Sequence, residues 1–427
     1  MSDRLEAILA DGVPRVCAAA IALIAVDGSL AAAAATGELV RYTGPIAEPG
    51  PPPGPSGEPE RPPHSPGEPG PRTGATGESE RPSGPAGEPW GRFDAWGRLA
   101  GVRPAARLDS IFDLASVSKL FTTVVLLSLA EEGRLDLDEP VAGLIPGADP
   151  RITPRRLLTH TAGLPPTRRV DLELPGADPA TRMAAMVATP ILHPVGGPYL
   201  YSDVGMVMAG RLAELAGGAP LDALARTRIT TPLALTDTAY RPVTPALRTA
   251  GPAPRASGAM GAVGAVGAEP PDGTAGRVAA TEWKPERPGP GCVRGEVHDE
   301  TAYALGGVAG HAGLFATAGD LLTFGETLRR GGGPVLRPES VAEMTRDQGA
   351  EGAPFRHGLG VRLGDPGIIG PLDGAYGHSG FTGTSLVIDP ARGLTVVLLT
   401  NAVHPVRGRA GIRELRHAVA AEALRLR

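Results

Sequence analysis

Ser116-Val117-Ser118-Lys119 sets a hydroxyl and an amine three positions apart, on one face of a helix and one turn from each other. A serine hydroxyl is a poor nucleophile until a base comes within hydrogen-bond reach. A lysine suits that task when apolar neighbours such as Leu114, Leu120 and Phe121 strip water from it. At a helix N-terminus, unpaired N–H groups and the positive dipole end also stabilise an anion developing beside Ser116. The structural alternative is an N-cap serine, 116 or 118, followed by an exposed lysine. Lysine usage weighs against it. Of 41 basic residues only Lys119 and Lys284 are lysine, and arginine would serve a solvated face equally well.

Two further stretches carry groups that such a pair needs. Tyr201-Ser202-Asp203 follows the turn Gly196-Gly197-Pro198-Tyr199 and precedes a helix expected from Gly205 to Ala216. A loop residue at a helix entrance points readily into a cleft. Tyr201 can carry a proton and Asp203 can orient the lysine; the structural alternative makes Asp203 a plain N-cap and Tyr201 packing. Gly377-His378-Ser379-Gly380 stands just before a strand expected at Ser385. It is either a tight turn or a strand edge at which His378 meets substrate or relays a proton and the Phe381 N–H serves as an oxyanion donor. It misses the G-x-S-x-G nucleophile elbow because position 381 is Phe.

Other stretches offer less. His298-Asp299-Glu300 invites a metal reading, but HExxH and paired CxxC spacings are absent, so neither metal nor cofactor is expected. Gly306-Gly307 through Gly310-His311-Ala312-Gly313 lacks the Gly-Lys-Ser/Thr of a phosphate loop and reads as a close-packed turn or a site wall. Ile152 to Pro166, with Thr159-His160-Thr161, reads as a structural helix end and loop.

The elements that must position these residues are legible in part. The 427 residues hold more than one average domain, and with aromatics at 4% the core must be aliphatic. A net charge of −5 gives no reason to expect nucleic acid, and two cysteines, Cys17 and Cys292, make no disulfide framework. Val16 to Val26 is too short to span a bilayer. With an acidic N-terminus before it and the turn Asp27-Gly28 after it, it reads as a buried strand returning through Ser29 to Thr36, and the expected location is cytoplasmic.

The pattern predicts a helix from Ser116 to Glu132 ending at Gly133, and shorter ones over Met183 to Val187 and Gly205 to Ala216. It predicts a buried hairpin of Ser385 to Ile388 with Leu394 to Leu399, then a final helix from Gly411 to Leu426. Strands therefore open and close the chain and helices fill the middle, which makes one sheet built from both ends. The expected organisation runs as follows: strands in 1–43, a disordered Pro/Gly-rich insertion in 44–95, and the nucleophile helix in 96–135. A mostly helical body with a flexible loop at 242–276 fills 136–300, and the rest of the sheet lies in 301–427. In the insertion, Gly54–Pro62 recurs in altered form at Gly74–Pro82, but irregular glycine spacing excludes a collagen helix.

Taken in order, Phe112-Asp113-Leu114-Ala115-Ser116-Val117-Ser118-Lys119, Leu157-Leu158-Thr159-His160-Thr161-Ala162-Gly163-Leu164, Tyr201-Ser202-Asp203 and His378-Ser379-Gly380 resemble the β-lactamase-related serine hydrolases. These are the class C β-lactamase, D,D-peptidase and esterase superfamily of penicillin-recognising enzymes. Val297 to Phe315 resembles a segment of the esterase-like and penicillin-binding-protein-like members.

The resemblance spans nearly all of the chain outside the two low-complexity stretches. It implies an α+β fold of the β-lactamase/transpeptidase type: an antiparallel sheet flanked by helices, built from both chain ends, with an inserted all-α domain and the site at their junction. It implies Ser116 as acyl-accepting nucleophile, Lys119 as its partner, Tyr201 as base and proton donor, and Asp203 as the residue holding the lysine. The backbone N–H groups of Ser116 and Phe381 would form the oxyanion hole, with His378, Ser379 and Gly380 along the substrate.

Two departures bear on substrate. Asp203 stands where Asn is commoner, which raises the Lys119 pKa and favours Tyr201 or a water as effective base. His378 stands where Lys opens the Lys-Thr-Gly box of true β-lactamases, removing a fixed cation for a carboxylate. The expectation is a serine hydrolase forming an acyl-enzyme on a small ester or amide, esterase-like before D,D-peptidase or β-lactamase, with no nucleic-acid, membrane or protein partner. A non-catalytic relative binding acyl ligands, or an interaction protein working through the Pro/Gly repeat, is the alternative.

Overall fold

The computed structural model describes residues 2–45, 96–98, 103–241, 276–287 and 291–427. The expectations for 44–95 and 242–276 therefore fall almost wholly outside the described residues. The chain divides into a large compact unit, 1–43 with 98–427, and a second unit, 44–97, of which only the two ends are described.

Seven antiparallel strands form the main sheet of the large unit. Their order across it is Arg356–His357, Arg362–Leu363, Tyr376–Ser379, Ser385–Asp389, Leu394–Thr400, Ala19–Val26 and Ser29–Gly37. The two chain ends meet where Ala20 pairs with Thr400 and Val26 with Leu394. Both expected hairpins are present. The first turns at Asp27-Gly28, where both residues take positive φ (49° and 85°), as a two-residue turn matched to strand twist requires.

The near-continuous apolar runs are explained by burial on both faces. Ile21, Leu23, Val397 and Leu399 face Leu321, Phe324 and Leu328 of helix Ala318–Arg329 and the helical body beyond. Ala20, Ala22, Ile24, Val396 and Leu398 face Leu5 and Leu9 of helix Ser2–Gly12 and Leu415 and Val419 of helix Ile412–Leu426. Each large side chain so buried contributes roughly 1.5–3 kcal/mol.

Helix Ser118–Glu131 is buried along almost its whole length, so its apolar residues form no single stripe. It ends where Gly133 takes φ 69°. Helices Pro154–Leu158, Pro179–Val187, Asp203–Gly217 and Leu221–Ala225 build the body around it. The middle of the chain is not purely helical. It contributes the short strands Ala239–Tyr240, Ala280–Trp283 and Cys292–Arg294, too brief to show a period of their own. Among the described residues no helix is long and apolar enough to cross a membrane.

Candidate active site

Ser116 lies in a 3₁₀ turn, Ala115–Val117, that runs directly into helix Ser118–Glu131. The turn is held by strand Ile111–Asp113, which pairs with Leu314–Thr317, and by the Leu114 N–H bonded to Leu314 O at 2.9 Å. Ala115 is forced to φ 46°, a left-handed conformation costly for a residue with a Cβ. The buried Asp113 stabilises it, its carboxylate accepting the Ala115 N–H at 2.8 Å and the His298 N–H at 2.6 Å. Burial raises the Asp113 pKa, and those two N–H groups oppose the rise. Neither Ser116 nor Ser118 caps the helix; Ser118 Oγ instead accepts the Leu314 N–H at 3.2 Å.

Lys119 is fully buried, and its ammonium is ringed by acceptors. Nζ donates to Ser116 Oγ at 2.7 Å and to the His311 carbonyl at 3.3 Å, and it pairs with Asp203 Oδ1 at 2.8 Å. Burial pulls this lysine down, but the Asp203 carboxylate and the Tyr201 oxygen outweigh it and hold its pKa above the ordinary lysine value. The ammonium sits 5.0 Å from the Tyr201 ring centroid. The other lysine, Lys284, is also buried, paired with Glu300 and Glu282. Lysine scarcity thus marks burial rather than chemistry alone.

Tyr201 is fixed by the Thr159–Pro166 loop on both sides. The His160 carbonyl accepts the Leu200 N–H, His160 Nδ1 accepts the Ser202 N–H at 3.1 Å, and Pro166 O accepts the Asp203 N–H at 2.8 Å. Ser202, not Asp203, caps helix Asp203–Gly217, its Oγ accepting the Gly205 N–H at 2.9 Å. That division leaves the Asp203 carboxylate for Lys119. His160, read from sequence as part of a structural loop, lies with its ring tilted against that of Tyr201, centroids 4.6 Å apart, and so belongs to the site.

Gly377-His378-Ser379 is not a turn. It belongs to strand Tyr376–Ser379, where Gly377 pairs with Val387, and the turn is the stretch that follows. Thr382 Oγ1 donates to Asp113 O at 2.8 Å and Thr384 Oγ1 to Leu114 O at 3.0 Å, tying this turn to the segment before Ser116. A Cβ on Gly380 would lie 2.4 Å from Leu114 O, so only glycine allows that approach. Phe381 follows at once. Its exposed ring stacks on His298 at 5.8 Å, with the Arg407 guanidinium 5.4 Å from the ring centroid. His378 is buried, its ring 6.2 Å from that of Tyr201. Burial, with Arg362 and Lys119 nearby, pushes its pKa far below the ordinary value. The neutral ring donates from Nδ1 to Ser379 O at 2.8 Å and leaves Nε2 as an acceptor.

The site therefore gathers Ser116, Lys119, Tyr201 and Asp203 in one contact set, with His378 and Gly380 beside it. The Val297–Gly313 segment, singled out in the sequence for its resemblance and its glycine turn, supports them through backbone groups that the sequence does not single out. His298 carries the N–H that binds Asp113, and its ring meets Glu282 at 3.0 Å; His311 carries the carbonyl that binds Lys119, and its ring bonds Asp299 at 2.8 Å. Gly310 packs so tightly on helix Asp203–Gly217 that a Cβ would lie 2.0 Å from Met206 O, so the glycine turn is both close-packed and a site wall. Among the described residues no cluster of His, Cys, Asp and Glu could hold a metal ion.

A family model described as Beta-lactamase matches residues 89–421. An Escherichia coli K12 protein, provisionally named as a D-alanyl-D-alanine carboxypeptidase, is 32% identical over 335 residues, 70% of each chain. Among solved structures, EstCE1, a hydrolase with promiscuous acyltransferase activity, superposes with a TM-score of 0.61 at 19% identity, covering 98% of this chain and 97% of its own. An octameric penicillin-binding protein homologue from Pyrococcus abyssi superposes with a TM-score of 0.62 at 16% identity, covering 99% and 76%.

Proposed function

This chain belongs to the beta-lactamase family of serine hydrolases, and on that premise we propose that it cleaves a small ester or amide through an acyl-enzyme on Ser116. The observation that carries the reading is the buried ammonium of Lys119, donating at 2.7 Å to Ser116 Oγ while paired at 2.8 Å with Asp203. An ammonium has no lone pair, so it does not take the serine proton. Tyr201, held against that ammonium, is the base.

As Ser116 Oγ bonds to the substrate carbonyl carbon, its proton passes to the Tyr201 oxygen and the carbonyl π pair moves onto oxygen. That oxyanion lies between the N–H groups of Ser116 and Phe381. Collapse re-forms the carbonyl and breaks the bond to the alcohol or amine, which leaves with the proton from Tyr201. Water then attacks the acyl-enzyme, gives its proton to Tyr201, and frees the acid and a reprotonated Ser116.

Ester cleavage is the preferred activity, because the third segment presents a neutral His378 rather than a fixed cation for a carboxylate. The name carried by the Escherichia coli relative favours a second reading, D,D-carboxypeptidase action. Labelling by a serine-directed phosphonate tests the nucleophile: Ser116→Ala abolishes it, and labelling that persists at another serine refutes the assignment. Intact-mass measurement after penicillin exposure, beside p-nitrophenyl ester turnover and D-alanine release from a D-alanyl-D-alanine peptide, separates the substrate readings. A stable penicilloyl adduct or D-alanine release without ester turnover would overturn the ester preference.

A further inference from the structure

Arg416 is a buried cation with no carboxylate bound to it. It stands on helix Ile412–Leu426 with 9% of its surface exposed. Among the described residues its guanidinium donates to two backbone carbonyls alone, Gly380 O at 3.3 Å and Thr384 O at 3.1 Å. A buried arginine is ordinarily paired with a carboxylate. The charges that bear on this one do not neutralise it: Arg362 and Arg413 are cations, and Asp365 is already bound to Arg362 at 3.1 Å. Burial brings its pKa down to about 10, so it keeps its charge at neutral pH.

The place of those carbonyls gives the buried charge a use. The Gly380 carbonyl and the Phe381 N–H belong to one peptide unit. A trans peptide is planar and directs its C=O and N–H to opposite sides, so an oxygen held toward helix Ile412–Leu426 turns the N–H away from that helix. The oxygen is held twice, by Arg416 and by the Gly383 N–H at 3.0 Å, and the Gly380 N–H closes the turn on Thr384 O at 2.8 Å. Among the described residues no backbone carbonyl accepts the Phe381 N–H. Thr382 and Thr384 bind Asp113 O and Leu114 O, so the turn joins the arginine to the stretch just before Ser116. A cation bonded to an amide oxygen also polarises the amide and makes its N–H a stronger donor.

We propose that Arg416 is a positioning residue for the oxyanion: it fixes and polarises the Gly380–Phe381 peptide so that the Phe381 N–H meets the negative charge developing on the substrate carbonyl oxygen. The inference rests on the proposed acyl transfer to Ser116, with the Phe381 N–H as one of its two oxyanion donors. Arginine suits the place because one terminal nitrogen offers two N–H bonds, one for each carbonyl, and its charge survives burial.

The test compares p-nitrophenyl butyrate with its thionoester, in which sulfur replaces the carbonyl oxygen and accepts hydrogen bonds weakly. Neither carries a charge for an arginine to bind. The wild-type enzyme turns over the oxygen ester faster, because sulfur forfeits the oxyanion donors. In Arg416→Met, kcat on the oxygen ester falls about tenfold or more, short of the 10²–10³ lost with a whole donor, while KM stays within about threefold and the preference for oxygen narrows by a similar factor. Arg416→Lys, which keeps a positive donor, recovers most of both. Thermal unfolding confirms that each variant folds, and where Arg416→Met does not, a folded Arg416→Gln is read in its place. Wild-type kcat and an unchanged oxygen preference in the folded charge-removing variant, with Ser116→Ala inactive, overturn the Arg416 role and leave the acyl-enzyme reading standing. An equal fall on both esters makes Arg416 a structural residue only and overturns the proposal. Wild-type turnover by Ser116→Ala overturns the nucleophile assignment itself, and the proposal with it.

Discussion

Gly380→Ala tests whether the turn after strand Tyr376–Ser379 forms one side of the site. The added Cβ would lie 2.2 Å from Thr384 Oγ1 and 2.4 Å from Leu114 O, with Ala115 Cβ at 3.2 Å, whereas real Cβ contacts stay beyond 3.0 Å. The threonine hydroxyl can rotate away, at the loss of its 3.0 Å bond to Leu114 O. The Leu114 carbonyl is backbone, two residues before Ser116, and cannot. Relief requires the turn to open by at least about 0.6 Å, carrying the Phe381 N–H off the oxygen that it would face. Loss of one oxyanion donor costs about 10²–10³ in kcat, roughly 2.7–4 kcal/mol of transition-state stabilisation. The overpacking itself costs about 1–3 kcal/mol of stability, which leaves the protein folded. We therefore expect kcat on a p-nitrophenyl ester to fall about a hundredfold with little change in KM. Gly319→Ala, whose Cβ meets nothing within 4 Å, serves as control. A folded Gly380→Ala enzyme with kcat within threefold of wild type would refute the argument.

Lys119→Arg keeps the charge but cannot fit a planar guanidinium where one ammonium meets Ser116, His311 O and Asp203, so ester turnover drops by about 10² or more; near-normal rates would remove the lysine from the mechanism. Asp203→Asn deletes the negative charge 2.8 Å from Nζ and keeps an acceptor. The ammonium then loses its proton more easily, and kcat/KM declines at a lower alkaline pH than in wild type; an unmoved alkaline limb contradicts the pairing. Acid stability follows from two buried histidines. His404 accepts the Arg41 and Tyr42 N–H groups on Nε2 and donates to Thr281 O, an arrangement that imidazolium cannot make. Burial holds His404 down to about 3 and His357 to about 4. Below the ordinary value near 6.5 the unfolded chain binds protons that the native state refuses, so stability falls with pH, by about 5 kcal/mol for the pair at pH 4.5. Denaturant titrations that give the same unfolding free energy at pH 6.5 and 4.5 would contradict this.

What could be read from the sequence was whatever depends on side-chain pattern over eight or more residues. The hairpins at Ala19–Gly37 and Ser385–Thr400 and the buried helix after Ser116 announce themselves by apolar runs and turn residues. Tyr376–Ser379 does not, because Tyr-Gly-His-Ser becomes a strand only through pairing with Ser385–Asp389. Helix Ser2–Gly12 is hidden for another reason: its burial rests on Leu5 and Leu9 with a partly buried Ile8, too few to establish a period. Within the candidate site, Ser116, Lys119, Tyr201 and Asp203 are legible because a hydroxyl, an amine, a phenol and a carboxylate are side-chain groups, and the fold brings them together. The support given by His298 and His311 is not legible in this way, because what reaches Asp113 and Lys119 is an N–H and a carbonyl, groups that every residue type offers.

Strain points to the same place by an independent route. Four non-glycine residues among those described take positive φ, and two of them flank the site: Ala115 at 46°, directly before Ser116, and His160 at 56°, which cradles Tyr201. Each such conformation costs about 1–3 kcal/mol and persists only where the surroundings over-determine it. Here the over-determination is visible. Asp113 clamps Ala115 from one side while Thr382 and Thr384 hold the carbonyls of Asp113 and Leu114 from the other. His160 is fixed by bonds from Ser202 and Leu200. Asp113 in turn depends on the N–H of His298, whose ring lies under Phe381, so one histidine bears on both the Ser116 turn and the opposite wall. A site assembled this way stays closed to small adjustments. Moving the turn at 380–384 disturbs Ala115, and moving the 298–311 segment disturbs both Asp113 and the carbonyl that binds Lys119. The contacts that over-determine two strained residues are thus what keeps a hydroxyl and a phenol in place around the fully buried ammonium of Lys119.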